Sequence, residues 1–447
     1  MKQKSIQKSK LVKGIALAVL FGGAVNAVAG YQGHQPGAIL TLGKTTNPNS
    51  LLALGNNPAS GELLVGDEES LRLGYFSSLG FGLELGDLNN VEDDIEELEE
   101  ILDSENLTLD QALDAKDKFD ALLPVLGEKM NIAWNLGFEA PLAPIAVRSD
   151  FLGGVVGLNV SAGLLTDIIF LDAPMEIQNS GSDVSLSTDS SLYVKAAGLV
   201  TGTVGYSREV WQPPVLDSKL YGGVNVNVYH AVLNKQVVSF EGVADDSDDD
   251  IMDVVMDEFE ENNATVTAVG VDVGAIWTFP NGQVGLTIAN INEPELEYGE
   301  IGVNCGSLSG LRQKNCLAAQ AFSDEISLKE TAVLNAQTTI EGAFFTEDRQ
   351  FLISGAYDVN SAFSLVGRES QILSGSVSYF PNSYIIPTLR LGAAKNLVGS
   401  ELTTLGVGTT LFGMVNLDLS GSLDTIEHDG QEVPRYIGFN IGIEEKF

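Results

Sequence analysis

The stretch Met414-Val-Asn-Leu-Asp-Leu-Ser-Gly-Ser-Leu-Asp424 sets Val415, Leu417, Leu419 and Leu423 on one face and Asn416, Asp418, Ser420, Ser422 and Asp424 on the other. A period of two is that of a β-strand whose faces meet different environments. The second face is too polar for a protein interior. Similar alternation recurs in ILSGSVSYF, with Leu373, Val377 and Tyr379 against Ser374, Ser376 and Ser378, and in LNAQTTIEGAFF, QVGLTIAN, VGVDVGAIWTF and GGVNVNVYHAV. These segments have the length of a tilted membrane strand, roughly 9 to 11 residues.

The links between these segments alternate in length. Phe279-Pro-Asn-Gly, Thr346-Glu-Asp-Arg, Phe380-Pro-Asn-Ser and Leu411-Phe-Gly read as tight turns, whereas residues 241–263, 298–332, 361–368 and 425–433 are mostly longer and more polar. Outer-membrane barrels have short periplasmic turns and longer outer loops. Counting back from Phe447 gives an all-β transmembrane fold: an antiparallel outer-membrane barrel of about 14 strands over residues 69–447. The 48 glycines fit strands that must curve. A repeat of soluble β-sandwiches is the alternative, and it leaves the Ser, Thr, Asn and Gly faces unexplained.

The chain starts with Lys2, Lys4, Lys8, Lys10 and Lys13, then an apolar run from Ile15 to Val25, then Ala27-Val28-Ala29. That order is a secretory signal peptide over residues 1–29, cut near Ala29; an uncleaved anchor is the alternative. Its loss removes five of 24 basic residues and none of 61 acids, leaving 19 against 61, a formal charge of −42. This excludes nucleic acid, whose phosphates need Lys and Arg, and a carboxylate-rich partner. The exported chain keeps two cysteines, Cys305 and Cys316, which in an oxidising compartment most simply form one disulfide.

Residues 30–68 are turn-rich and contain Leu51-Leu-Ala-Leu-Gly-Asn-Asn-Pro-Ala-Ser60. With Asn57-Pro58-Ala59 near the mature N-terminus, a helical insert and then a many-stranded barrel, the order of parts resembles the conjugal-transfer TraF-like family of outer-membrane proteins. That family sits within the broader fatty-acid-transporter-like barrel superfamily. The resemblance implies that residues 30–68 are a plug inside the lumen; a periplasmic tail is the alternative.

The insert at residues 88–130 reads as a helical hairpin on the outer side. Val91, Ile95, Leu98 and Leu102 line one amphipathic helix, and Thr108 with Gln111 forms a capping box opening the second. The outer loop at residues 243–263 is strongly acidic. Read as a calcium loop it offers Asp246, Asp248 and Asp250, but Ile251 stands where the turn needs Gly. A solvated acidic helix is the plain reading, a weak divalent-cation site the alternative, and no other metal site or cofactor motif is present.

No catalytic constellation stands out. His34 and His428 lie in polar links, and His230 sits on a strand between Val228 and Val232, in a packing or girdle position. The chain therefore reads as no enzyme. Two functions remain: a plugged channel for an apolar small molecule, or a structural component of an envelope or conjugation complex that binds a partner through acidic outer loops. Either would sit in the outer membrane of a Gram-negative bacterium, among its lipids. The closing strand, Tyr436 to Phe447, puts Ile437, Phe439, Ile441 and Ile443 on the lipid face. Phe447 resembles the terminal aromatic that the barrel-assembly machinery recognises. By strict alternation Glu445 shares the lipid face, at headgroup level.

Overall fold

The computed structural model describes residues 41, 44–66, 69–87, 97–98, 101, 107–180, 183–213, 217–239, 259, 262–381, 383, 385–428 and 431–446, with backbone alone at 179, 180, 183, 428, 445 and 446. The expected leader, most of the stretch expected as the first insert helix, Asp246, Asp248, Asp250 and Phe447 lie outside the described residues.

The strands begin with β1 (Leu71–Leu85), β2 (Asn131–Glu139), β3 (Ile145–Ser149), β4 (Gly154–Leu171), β5 (Met175–Ser180) and β6 (Asp183–Thr188). Then come β7 (Ser191–Trp211), β8 (Lys219–Ser239), β9 (Ala264–Phe279), β10 (Gly282–Ala289), β11 (Glu295–Glu297) and β12 (Thr331–Val333). The next are β13 (Gln337–Phe345), β14 (Phe351–Asp358), β15 (Ala362–Phe363), β16 (Glu369–Ser370), β17 (Ile372–Tyr379) and β18 (Thr388–Asn396). The last five are β19 (Thr403–Leu411), β20 (Val415–Ser422), β21 (Thr425–His428), β22 (Gln431–Pro434) and β23 (Tyr436–Lys446). The helices are α1 (Ala53–Asn56), α2 (Gly61–Leu64), α3 (Leu109–Lys129) and α4 (Gly310–Ala321), with a 3-10 turn at Pro58–Ser60.

Fifteen strands share one sheet, and β2 and β3 both pair with β1 and β4. They lie end to end in one row, so the barrel has 15 − 1 = 14 staves. The expected antiparallel barrel of about 14 strands is therefore the fold. It closes where β23 pairs with β1, from Arg72 opposite Lys446 to Glu84 opposite Tyr436, which removes the free sheet edges.

Burial runs opposite to that of a soluble protein. On β20 Leu419 is 61% exposed, while Asn416, Asp418, Ser420 and Ser422 are buried. The same inversion holds at Leu389 and Leu391 on β18 and at Ile437, Phe439 and Ile441 on β23, where Phe439 lies 5.9 Å from Phe81. Ile443 continues that face opposite Val415. Apolar side chains outside and polar ones inside are what lipid and a polar lumen select. Paired rings, Trp277 with Phe279 and Phe351 with Tyr379, mark the end of the barrel that carries the tight turns. His230 is exposed and hydrogen-bonds Thr267 at 3.0 Å.

At the other end β4, β7 and β8 run 18, 21 and 21 residues, against 8 in β10, so they rise past their neighbours. One face of this extension, with Ile168, Phe170, Leu192 and Val194, packs on Phe119, Leu123 and Leu126 of α3. Thr108 caps α3 through the reciprocal Gln111 box. The opposite face, with Leu171, Tyr193 and Val237, packs on Ala318 and Ala319 of α4. The stretch 298–332, expected as a loop, thus contains a helix. Cys316 lies within α4 and is bonded to Cys305 across a sequence separation of 11.

Candidate functional site

The N-terminal segment 44–66 makes hydrogen bonds to staves all round the barrel, and only a chain inside the lumen can do that. Lys44 Nζ reaches Asp358 on β14 at 2.9 Å. Thr46 donates to Glu341 on β13 through its N–H at 2.5 Å and its hydroxyl at 2.9 Å. Ser50 Oγ and Leu51 N–H donate to Glu444 on β23, at 2.9 and 2.8 Å. Arg72 on β1 donates to Pro48 O at 2.8 Å and Leu64 O at 3.1 Å. Asn225 on β8 donates to Leu54 O at 3.1 Å. Higher in the chain, Thr41 and Arg390 both bond Asp418. A buried carboxylate is costly unless charge-assisted bonds satisfy it, so each wall acid holds the segment and is held by it.

Asn57-Pro58-Ala59 sits where the segment presses hardest on the wall. Asn57 Oδ1 accepts from Ala59 N–H at 3.0 Å, and Asn57 Nδ2 donates to Glu341 at 3.1 Å. Pro58 starts the 3-10 turn, where its missing N–H costs nothing. The wall opposite is glycine for a steric reason. A Cβ at Gly223 would come within 2.2 Å of Pro58 O, and one at Gly274 within 2.2 Å of Asn57 Oδ1. Ala59 then packs on Tyr221 and Ile276.

Above the segment the lumen is first polar. Asp272 accepts from Asn227 Nδ2 at 2.7 Å and Asn290 N–H at 2.8 Å, and Tyr229 donates to Asn290 at 2.8 Å. One level higher it becomes apolar, where Leu165, Leu199 and Leu233 of the inner wall meet Leu296, Leu334 and Leu365 from the long links. Below the segment, a cavity of about 250 Å³ opens at the turn end between Glu62, Arg148, Glu209, Lys219 and Tyr221. Two ion pairs border it, Arg148–Glu62 and Lys219–Glu209, each at 3.2 Å.

The wall itself is interrupted. β2 stops at Glu139 and its row resumes only at Ile145, while β1 shifts register twice between Gly74 and Leu79. Gly74 N–H to Pro144 O at 2.9 Å, Leu142 N–H to Tyr75 O at 3.1 Å and Ser77 Oγ to Ala143 O at 3.0 Å replace the ladder there. Leu142 adopts a positive φ of 65° and points out, 55% exposed. On the inner side Glu139 Oε2, Asn159 Oδ1 and Thr201 Oγ1 are buried with no hydrogen-bond partner. Such groups cost about 1–3 kcal/mol each if left dry, so this level of the lumen calls for water or a ligand.

Residues 56–358 match the model of the family described as F plasmid transfer operon, TraF, protein. The chain belongs to this family. No curated relative matches the sequence significantly. Among solved structures, this TraF-family barrel is similar to the toluene transporter TbuX of Ralstonia pickettii, at 12% identity and a TM-score of 0.42, covering 93% of this chain and 98% of that one. It is also similar to a FadL homologue of Pseudomonas aeruginosa, at 11% identity and a TM-score of 0.42, covering 94% and 99%. A third is the toluene transporter TodX of Pseudomonas putida, at 11% identity and a TM-score of 0.42, covering 93% and 99%.

Sequence reasoning singled out Asn57, Pro58 and Ala59, but it passed over Glu341, Asp358 and Glu444, which bind the segment that carries them. The available signal was an acid on the polar face of an alternating strand. Among the described residues of the TraF-family chain, no group of three or more His, Cys, Asp or Glu could hold a metal ion.

Proposed function

We infer that the chain is a gated conduit for apolar small molecules in the outer membrane of a Gram-negative bacterium. Residues 1–29 direct its export and are removed near Ala29, residues 30–68 act as the plug, and the tight turns face the periplasm, as in other barrels of this type. Lipid surrounds the outward Leu, Val, Ile and Phe band. The closing strand, ending at Phe447, is the segment that barrel-assembly machinery engages.

The interruption of the wall at residues 140–144 carries this reading. Backbone groups at membrane depth need internal partners, which is why barrels pair every stave. Here the ladder is replaced by a few bonds beside the buried side-chain oxygens Glu139 Oε2 and Asn159 Oδ1, whereas among the other described stave pairs only β7–β8 shifts register, once, at its turn end between Glu209 and Trp211. A molecule that enters from the apolar layer at the loop end has a sideways route at Glu139 to Leu142 and an axial one past the plug to the turn-end cavity. Outer-membrane vesicles carrying the chain should take up the apolar dye N-phenyl-1-naphthylamine faster than vesicles without it. Equal rates would remove the proposal.

A second reading, an envelope or conjugation partner surface, is favoured by α3, which leaves Leu109, Leu113 and Val125 exposed. Deleting residues 88–130 would uncover Ile168 and Phe170, so the cleaner test is the double change Leu109→Ser and Leu113→Ser. A partner should be lost from co-purification while the barrel stays heat-modifiable in gels; if every co-purifying protein is retained, this reading goes.

A further inference from the structure

The link between β14 and β17 is more than a loop. β15 and β16 form a hairpin, Ala362 opposite Ser370 and Phe363 opposite Glu369, closed by Ser364 N–H to Arg368 O at 2.8 Å and Gly367 N–H to Ser364 O at 3.0 Å. Counted round the ring from β1 as the first stave, through β2/β3 and β4, its base rises from the ninth and tenth, β14 and β17. Its far end is held on the first three, β1, β2 and β4: Arg368 Nη1 donates to Asn131 Oδ1 at 2.7 Å and Asp167 Oδ1 at 3.1 Å, and Nη2 pairs with Glu84. In a ring of 14 those positions are diametrically opposed, so the hairpin spans the mouth.

The tip of the span is apolar and buried. Leu365 and Val366 are 2% and 3% exposed, set against the inner-wall leucines at the loop end. Tyr298 Oη donates to Leu365 O at 2.6 Å and fixes the tip. Gly367 turns away with a φ of 88°, and a Cβ there would lie 3.1 Å from Lys195 Nζ, so the tip is seated close to the far wall.

These contacts differ in kind. The tip burial is non-directional, and any apolar molecule of similar volume replaces it at little cost. The Arg368 cluster is directional and stands at the rim, with its carboxylates on the staves that flank the wall interruption. We propose that the hairpin Ala362–Ser370 is a built-in occupant of the entry site: Leu365 and Val366 fill the place where an uncharged apolar molecule first binds, and Arg368 is the latch that keeps them there. An incoming molecule competes with the tip, and its binding and latch release are linked, because a ligand that binds only the open state shifts the population toward it. The inference rests on the conduit reading. It adds that the ligand is apolar where it meets this layer, since Leu165, Leu199, Leu233, Leu296 and Leu334 line it.

The test uses the full chain in outer-membrane vesicles and in nanodiscs. Arg368→Ala should raise the initial rate of N-phenyl-1-naphthylamine entry several-fold, and Arg368→Lys, which keeps the charge but loses the fork, should fall between. Saturating naphthalene should speed hydrogen exchange in the peptide spanning 362–370 of the wild type several-fold and change it little in Arg368→Ala. Heat-modifiable gel migration checks that each variant has assembled. If the wild type admits the dye but neither rate nor exchange responds to Arg368→Ala or to naphthalene, the conduit stands and the latch is refuted. If no variant admits the dye, the conduit reading fails and takes the latch with it.

Discussion

Glu444, near the end of the closing strand, accepts hydrogen bonds from Ser50 Oγ at 2.9 Å and Leu51 N–H at 2.8 Å, across sequence separations of 394 and 393. Barrel closure and seating of the N-terminal segment are therefore coupled. Glu444→Ala should strand two donors, at about 1–3 kcal/mol each, and make the Leu51 amide exchange at least tenfold faster. Glu444→Gln, which keeps an acceptor oxygen, should have a smaller effect. Unchanged exchange at Leu51 in both variants would show that the segment is held elsewhere.

Gly223 and Gly274 make room for Asn57 and Pro58. Valine at either position meets backbone or amide atoms at 2.2 Å, so the 57–59 turn must leave the wall while the barrel, whose outward face is untouched, still forms. Limited proteolysis should then cut between residues 50 and 66 in Gly223→Val and Gly274→Val but not in the parent chain. Ser354→Ala, inside the lumen but away from this turn, serves as the control.

Arg390 and Asp418 form an ion pair at 2.7 Å with both side chains essentially fully buried. Removing one partner of such a pair costs about 3–5 kcal/mol, because the other charge stays behind. Asp418→Ala should lower the melting temperature in detergent by several degrees, and the double change Arg390→Met with Asp418→Ala should recover part of the loss. A double variant as unstable as the sum of the singles would rule out coupling.

Asp120 on α3 lies outside the membrane band. Partial desolvation pushes its carboxyl up, but hydrogen bonds from Lys116 Nζ and Met175 N–H outweigh this and hold it below the ordinary range. A depressed folded value gives stability that is complete above the unfolded value of about 4 and is lost as pH falls through the folded one. Docking of α3 on β5 should loosen only below about pH 4, seen as a fall in the protection factor of the Met175 amide once the intrinsic pH dependence of exchange is divided out. Asp120→Asn should show that reduced protection at neutral pH; a wild-type protection factor that does not change with pH would contradict the assignment.

The parts of the fold legible in the sequence are those with one face in lipid and one in the lumen. β20 and β23 alternate cleanly because Leu419 and Asn416, or Phe439 and Asn440, meet different media. The upper parts of β4 and β7 do not alternate. Ile168-Ile169-Phe170-Leu171 is covered by α3 on one side and α4 on the other, and two-sided burial erases the period of two. α4 itself is a polar helix around a disulfide, with Ala318 and Ala319 as its buried apolar contacts, and it leaves no apolar stripe to read.

The site was less legible. Ala140-Pro-Leu-Ala-Pro144 reads as a turn, and nothing local says that the chain resumes in the same row. Glu341 and Glu444 look like solvated acids, because the donors that bury them, at Thr46 and Leu51, lie about three and four hundred positions away. Arg368 is likewise an ordinary loop arginine until the ring geometry places Glu84 and Asp167 opposite it.

The most direct test of the conduit is an experimental structure of the chain purified from outer membranes and exposed to an apolar compound. The account predicts a 14-stave barrel with residues 44–66 inside and density for the compound between that segment and the mouth, beside residues 140–144. A lumen packed solid with side chains and free of compound, or residues 44–66 lying outside the barrel, would contradict it.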